Sequence, residues 1–196
     1  DGQLSVVKHA GDNYLGGADF DRLIVDEWII PKLEEDYEFA DLSRSNKDKV
    51  NQGRLAVLKK HAEEIKKALS NSESETYYVE SGMSGIQDDG GEVVEIELEV
   101  HRAAFEEMIR PMVDKTIKIA KEVLQDAGLE ASEMDKVLLV GGSTFIPLVQ
   151  KQVATLGIPV DRFVVLAFGG SQGSRVINRA LVDALPHLQS RHDKLF

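Results

Sequence analysis

The first long pattern of apolar and polar positions along this chain has the spacing of a helix. A helix is predicted from about residue 18 to residue 36, because apolar side chains recur there at three- and four-residue intervals. Those positions are Phe20, Leu23, Ile24, Trp28 and Leu33. Trp28 is expected in the core, and Pro31 should kink or divide the helix.

Four further elements are predicted from the pattern of apolar and polar residues. A second helix is predicted over 47–69, and its apolar positions are Val50, Leu55, Leu58, Ile65 and Leu69. Two strands, over 76–79 and 93–100, should then pair as a hairpin across the turn at 87–91, because the second strand alternates apolar and polar residues. A third helix is predicted over 102–127, interrupted by Pro111 and ended by Gly128.

Two segments near the C-terminal end share one pattern. The apolar runs 137–140 and 163–168 each lead into a Gly-Gly-Ser loop. Short apolar runs are typical of strands buried on both faces of a parallel sheet, and a helix near 148–156 would be the crossover between them. A further strand is predicted over 4–9.

Loops of this kind have two interpretations. Glycines let the backbone approach a ligand, and free amide groups at the start of the next helix face an anion, so phosphate-bearing ligands are candidates. Many α/β domains use the same loop only to turn the chain, and the pattern alone does not separate the two.

Charge and composition exclude several functions. The formal net charge is −11, so the surface should repel nucleic acid and anionic lipid, and neither is an expected partner. The chain contains no cysteine, no run long enough to span a membrane and no signal-like segment, so a cytoplasmic location is expected. We also expect the chain to start inside a folded element. No metal site is expected, because the five histidines lack the spacing of metal ligands.

Three motifs resemble the DnaK-like, seventy-kilodalton heat-shock chaperones. They are Gly-Asp-Asn-Tyr-Leu-Gly-Gly-Ala-Asp-Phe-Asp at 11–21, Glu-Glu-Ile-Lys-Lys-Ala-Leu-Ser at 63–70, and Val-Gly-Gly-Ser-Thr-Phe-Ile-Pro at 140–147. They occur in the order found in that family, over residues 1 to about 162.

The resemblance implies a partial actin-like ATPase lobe. It implies that adenosine is held between a helix and a glycine loop, and that a glycine pair lies toward the phosphates. The helix residues are Glu63, Lys66, Lys67 and Ser70. The loop residues are Gly141, Gly142 and Ser143, and the glycine pair is Gly16 and Gly17. Phe145 stands where the family usually has an arginine, and its ring would cover a purine by stacking. Without the resemblance, Lys66 and Lys67 are expected on a solvated helix face, paired with Glu63.

No catalytic residue is predicted. The resemblance implies that ATP hydrolysis needs a first phosphate-binding loop, a lysine and metal-organising aspartates, none of which is found among these residues. Phosphoryl transfer depends on those groups for positioning and charge stabilisation, so we expect no enzymatic activity.

The segment 163–196 is similar to the MurG-type glycosyltransferases. The distinctive residues are Gly169, Gly170, Ser171, Gln172 and Gly173, and the resemblance implies that this loop lies near a nucleotide-sugar diphosphate. The following helix, with Val176, Ile177, Leu181 and Leu185 on one face, would cover the sheet.

The fold class expected from these features is α/β: a partial actin-like lobe with a hairpin and helical subdomain at about 18–128, inserted between the elements of a parallel-sheet subdomain. The resemblance divides the chain into a chaperone-like part, 1–162, and a Rossmann-like βα unit, 163–196. The leading hypothesis is an engineered, synthetic chimera without native catalytic activity and with at most residual nucleotide binding. The alternative is an adenine-nucleotide-binding module derived from a heat-shock chaperone. No cofactor is required; ADP or ATP would bind weakly, ahead of UDP, and the chain would be a monomer or a weak homodimer.

Overall fold

The protein forms two compact units along one chain. The computed structural model describes residues 7–12, 15–134, 138–157 and 165–167. One unit consists of Ala18–Arg110, and the other combines Asp1–Gly17 with Pro111–Phe196. Each unit is described by itself below.

The unit 18–110 begins with a helical run of three parts. Helix α1 spans Gly17–Ile24, a π-helical turn spans Val25–Ile29, and α2 spans Ile30–Asp36. The wide turn lies directly before Pro31, which has no N–H to continue the α-helical hydrogen-bond pattern. The division predicted near Pro31 is therefore present as a change in helix type.

Trp28 lies less deeply in the fold than the sequence indicates. Phe20, Ile24 and Leu33 of the predicted stripe are buried, but Trp28 is only half-buried. Its ring meets the Phe105 ring edge to face, with centroids 6.4 Å apart. The shift to π-helical geometry at residue 25 rotates the positions that follow, so a stripe counted at 3.6 residues per turn no longer gives their burial.

Helix α3 spans Lys49–Asn71 and provides much of the core of this unit. Asp48 caps it, because its carboxylate accepts hydrogen bonds from the Val50 and Asn51 backbone N–H groups at 2.8 and 3.3 Å. The buried face consists of Asn51, Leu55, Leu58, Ala62, Ile65 and Leu69. Val50, one of the apolar positions named from the sequence, is 61% exposed. It lies about 100° around the helix axis from the centre of the leucine and isoleucine positions.

A β-hairpin completes this unit and packs against α3. Strand β1, Ser74–Val79, pairs antiparallel with β2, Ile96–His101, in a register that places Ser74 opposite His101. The second strand begins three residues later than predicted. Before it, Gln87 and Val93 form an isolated bridge, and the buried Asp88 carboxylate accepts from the Glu92 N–H at 2.8 Å.

Helix α4 spans Arg102–Asp126 without interruption, so the predicted break at Pro111 is wrong. A helix this long retains many backbone hydrogen bonds when one donor is missing, and tertiary packing outweighs the local preference. Gly128 ends it as predicted, with a φ of +66°. Gly128 and Leu129 donate backbone hydrogen bonds to Gln125 and Leu124, both at 3.0 Å, which together form a Schellman motif.

The second unit contains a parallel β-α-β segment. Strand β3, Leu138–Val140, pairs in parallel with β4, Val165–Ala167, and α5, Pro147–Ala154, lies between them in the chain. This confirms the predicted parallel pairing and the connecting helix. Residues 7–9, predicted as part of a strand, are not in one, while 4–6 and the helix predicted after residue 174 lie outside the described residues. No helix within the described ranges is long and apolar enough to cross a membrane.

Candidate functional site

The loop after β3 is the clearest candidate for a ligand-binding loop in the second unit. Gly141 has a φ of +106°, a conformation that favours glycine, and Gly142–Phe145 forms a single 3₁₀ turn. The loop lies at the carboxyl end of a parallel strand, which is where ligands bind in open α/β sheets. An added Cβ at Gly142 would meet no atom within 4 Å, so the loop surface is open there.

Hydrogen bonds hold this loop from within. Thr144 is buried, and both its N–H and its hydroxyl donate to the Gly141 carbonyl, at 3.0 and 2.7 Å. The Gln150 side chain of α5 donates to the Thr144 carbonyl at 2.9 Å. The loop is therefore fixed in shape before any ligand arrives, which lowers the entropic cost of binding.

Phe145 and Ile146 have opposite environments at the end of the turn. Ile146 is buried, whereas the Phe145 side chain is 71% exposed. A ring this exposed leaves its face available to a planar group.

Gly16 and Gly17 lie at the N-terminal end of α1, which begins at Gly17. Gly16 is buried, and Gly17 is half-buried. Nearby in the chain, the Asp12 carboxylate accepts from Lys115 at 2.5 Å, which ties this segment to α4 within the second unit.

In the unit 18–110, Lys66 forms a buried ion pair with Asp21. Its ammonium nitrogen lies 2.5 Å from the Asp21 carboxylate, and the two side chains are 14% and 5% exposed. Burial raises the pKa of the Asp21 carboxyl above its usual value, and the hydrogen bond from Lys66 acts in the opposite direction. Lys66 is therefore not the solvated surface lysine that helix spacing alone indicates.

The other predicted residues of α3 divide between exposed and half-buried positions. Lys67 is exposed, and its ammonium group pairs with Glu63 at 3.1 Å and with Glu64 at 2.9 Å. The Lys67 ammonium lowers the pKa of the Glu63 carboxyl. Ser70 is half-buried and donates its hydroxyl hydrogen to the Lys66 carbonyl at 3.0 Å. For Lys67 the structure agrees with the expectation of a solvated, paired helix face.

Two buried acidic residues of α1 were missed by the sequence interpretation. They are Asp19, which pairs with Arg22, and Asp21. A signal was present, because Asp21 lies three residues before Ile24 and four before Val25, both buried. A charged residue on the apolar face of a helix indicates a buried partner of opposite charge.

The remaining candidates give no further site. Within the described residues, no group of three or more histidine, cysteine or carboxylate side chains is placed to hold a metal. His61 is engaged structurally, with one ring nitrogen 2.8 Å from the Tyr77 hydroxyl and the other 2.9 Å from the Ser84 carbonyl oxygen. The predicted residues Gly169, Gly170, Ser171, Gln172 and Gly173 lie outside the described residues.

Known proteins resemble this chain over most of its length. Residues 1–157 match the family described as Hsp70 protein. The chaperone protein DnaK of Mesomycoplasma hyopneumoniae strain 7448 is 37% identical over 185 residues, which cover 92% of this chain and 29% of that protein. The DnaK chaperone of strain J gives the same values. The chain therefore spans 29% of the length of these relatives.

The interpretation of the chain as an engineered chimera is wrong. An alignment that covers 92% of 196 residues must extend past residue 162, into the segment assigned to a glycosyltransferase. A single chaperone relative therefore aligns on both sides of residue 162. A chain joined from two families at that residue would not give such an alignment. The mixed helices and strands agree with a partial actin-like ATPase fold, and the chain belongs to the Hsp70 protein family.

Proposed function

We propose that this chain binds an adenine nucleotide, ADP or ATP, as a segment of an Hsp70-type ATPase domain. The observation that carries the proposal is the family match over residues 1–157, which includes all three motifs predicted to surround the nucleotide. The chain covers 29% of the length of its curated relatives. The chaperone activity of those whole proteins therefore comes to this chain only as a further part of the proposal.

The geometry of the second unit supports nucleotide binding. The Gly141–Phe145 loop lies at the end of a parallel strand, is held in shape by Thr144, and is open at Gly142. Glycine at 142 also allows a phosphate or ribose group to approach the backbone closely.

Helix α3, in the unit 18–110, has a polar face of its own. Glu63 and Lys67 are exposed, and Ser70 is half-buried with its oxygen still able to accept a hydrogen bond. Lys66 is anchored by Asp21, so its position is fixed by the fold and not by a ligand. These groups suit the hydroxyl groups of a ribose and the polar edge of a base.

The proposal includes binding without hydrolysis by these 196 residues. Phosphoryl transfer requires groups that surround the terminal phosphate and a magnesium ion, and the predicted site residues here suit the nucleoside part of the ligand. We expect no phosphate release above the buffer rate when the chain is incubated with magnesium-ATP.

The net charge of −11 disfavours nucleic acid and anionic lipid as partners. The chain is proposed to be a monomer or a weak homodimer. Sedimentation over a range of protein concentrations measures this directly, and a stable dimer at low micromolar concentration would contradict it.

Titration calorimetry with magnesium-ADP tests the proposal, and UDP serves as the comparison ligand. We expect saturable heat with ADP and little or none with UDP. Gly142→Trp should abolish the ADP heat, because the indole would fill the open space at the loop while leaving the fold intact.

Gly53→Trp is the matched control. Gly53 is also exposed and has no atom within 4 Å of an added Cβ, but it lies in α3 more than two helical turns from Glu63. Its affinity for ADP should equal that of the parent chain. If the cooperatively folded parent gives no heat with ADP, the proposed function is wrong.

A further inference from the structure

The turn at residues 88–91 contains an Asp-Gly pair that the proposed nucleotide site does not use. Asp89 and Gly90 lie in the loop before β2, both are exposed, and the Asp89 side chain is 42% exposed. When glycine follows an aspartate, its backbone nitrogen reaches the side-chain carbonyl carbon of the aspartate with little hindrance, because glycine has no Cβ. The product of that attack is a five-membered succinimide ring.

The Gly90 nitrogen is available for this attack. Among the described residues, its N–H donates no hydrogen bond. The N–H groups on either side are occupied, since that of Asp89 donates to the Glu38 carbonyl at 2.9 Å. That of Gly91 donates to the Asp88 carbonyl at 3.3 Å. A Cβ added at Gly90 would lie 3.4 Å from the Asp88 carboxylate, an ordinary contact, so alanine fits there and gives a variant with a hindered nitrogen.

The Asp89 carboxylate is held by two donors from outside the turn. One oxygen accepts from the Ala40 N–H at 2.8 Å, and the other accepts from the Arg54 guanidinium at 2.7 Å. Arg54 is itself fixed, because its side chain is 13% exposed and its guanidinium lies over the Phe39 ring, 5.1 Å from the centroid. A carboxyl group that is anchored and ionised cyclises poorly, because the protonated group is the one that loses water.

We propose that Asp89–Gly90 is a site of spontaneous isomerisation to isoaspartate, and that the contact with Arg54 keeps the rate low in the folded chain. The Gly90 nitrogen bonds to the side-chain carbonyl carbon, and its hydrogen leaves with the carboxyl O–H group as water. Water then adds to the succinimide at the backbone carbonyl and breaks the original peptide bond, which leaves isoaspartate. Addition at the other carbonyl restores aspartate. Water is the only co-reactant, and the mass of the chain is unchanged.

Isomerisation removes the tie between this turn and residues 38–40. In isoaspartate the backbone runs through the former side chain, and the carboxylate is attached directly to Cα. It therefore no longer reaches the Ala40 N–H and the Arg54 guanidinium that it meets in the folded chain. The unit 18–110 loses both hydrogen bonds, so copies that have isomerised should unfold at a lower urea concentration than fresh copies.

Prolonged incubation at neutral pH, followed by proteolysis and isoaspartate-specific methyl labelling, tests the proposal without any nucleotide. The urea-unfolded parent should accumulate isoaspartate at residue 89 several-fold faster than the folded parent. Arg54→Met should raise the rate in the folded chain several-fold, because the carboxyl group loses a donor and its cation. Gly90→Ala should suppress the product in the folded and the unfolded chain, since the added methyl group hinders the nitrogen.

Asp21→Asn is the control for stability, because it weakens the same unit without touching the turn. Under conditions where circular dichroism shows it to be folded, its rate at residue 89 should equal that of the parent. The comparison of folded with unfolded parent also stands if Arg54→Met does not fold.

Three outcomes would overturn the proposal. A folded parent that isomerises as fast as the unfolded chain shows that the fold does not protect this pair. A folded Arg54→Met chain with the parent's rate shows that the contact does not control it. Isoaspartate that persists at residue 89 in Gly90→Ala, or that is absent there even in the unfolded parent, shows that this pair is not the reacting site. None of these results depends on whether ADP binds.

Discussion

At the scale of single residues, the Asp21–Lys66 pair is the interaction with the largest expected effect on stability. Both side chains are removed from water, so the loss of one leaves an uncompensated charge inside the unit. Asp21→Asn should lower the free energy of unfolding by about 3 kcal/mol. Urea denaturation followed by circular dichroism measures it.

A double-mutant cycle completes that experiment. Asp21→Asn combined with Lys66→Met should lose less stability than the two single changes added together, because the second substitution removes the unpaired charge. Lys67→Gln is the matched control on the same helix. Lys67 is 58% exposed, and its loss should change the free energy of unfolding by less than about 0.5 kcal/mol. Additive single effects for Asp21 and Lys66 would show that the pair is not coupled.

Asp89 should make the stability of the unit 18–110 depend on pH. Its carboxylate accepts a hydrogen bond from the Ala40 N–H at 2.8 Å and from Arg54 at 2.7 Å, and these bonds lower its pKa. The unfolded chain then binds a proton more readily than the folded chain near pH 4, so stability contributed by Asp89 is present above its unfolded pKa. It is lost as the pH falls through the lower folded value.

The substitution Asp89→Asn tests this sign. The variant should be less stable than the parent at pH 7, and the difference should shrink as the pH is lowered toward 3. Urea midpoints measured across that range give the comparison. A difference that grows at low pH would contradict the assignment.

The sequence proposed candidate site residues but did not give their environments. Lys66 and Lys67 are neighbours with the same chemistry, yet one is buried against Asp21 and the other is exposed beside Glu63. The difference arises from a partner 45 residues away in the chain, on α1. Helix spacing describes neighbours within one element, so it does not identify pairs between elements.

At the scale of elements, Gly53 is a weak point in α3. It lies in the first third of the helix, is exposed, and would meet no atom within 4 Å if a Cβ were added. Gly53→Ala should raise the free energy of unfolding by about 0.5 to 1 kcal/mol, because alanine loses less backbone entropy on folding. Thermal and urea unfolding both report it.

Gly128→Ala is the contrasting substitution. Gly128 also has open space around it, but its φ of +66° ends α4 in a conformation that alanine adopts with strain. The same chemical change should therefore destabilise the protein by about 1 kcal/mol. If both variants are stabilised, backbone conformation does not control the outcome.

Element types were predictable where the pattern was long, while several boundaries were not. The hairpin, the helices and the parallel pairing of β3 with β4 all follow from spacing and apolar runs. The uninterrupted passage of α4 through Pro111 depends on packing that local preferences do not include. The sequence predicted a division near Pro31 but did not indicate its π-helical geometry. The interpretation of residues 163–196 was also wrong because it relied on a short stretch. A likeness to a glycosyltransferase loop was given more weight than the similarity to chaperones along most of the chain.

At the scale of the whole molecule, the excess of acidic residues sets the response to salt. The chain has 34 acidic and 23 basic residues, giving a net charge of −11 that repels itself in the compact state. Salt also weakens attractive pairs, but most ion pairs of the described residues are exposed, and each contributes about 0 to 1 kcal/mol. Screening of the net repulsion should therefore outweigh the loss of these pairs.

We accordingly expect the melting temperature to rise by a few degrees, roughly the effect of 1 kcal/mol, between about 10 mM and 200 mM sodium chloride. Potassium chloride at equal ionic strength should give the same rise, since screening does not depend on the cation. Glu97→Lys should raise the melting temperature at low salt and flatten the response, because Glu97 lies on β2 between Glu95 and Glu99 along one groove. A melting temperature that falls with salt would mean that attractive pairs dominate, and Glu97→Lys would then lower stability at low salt.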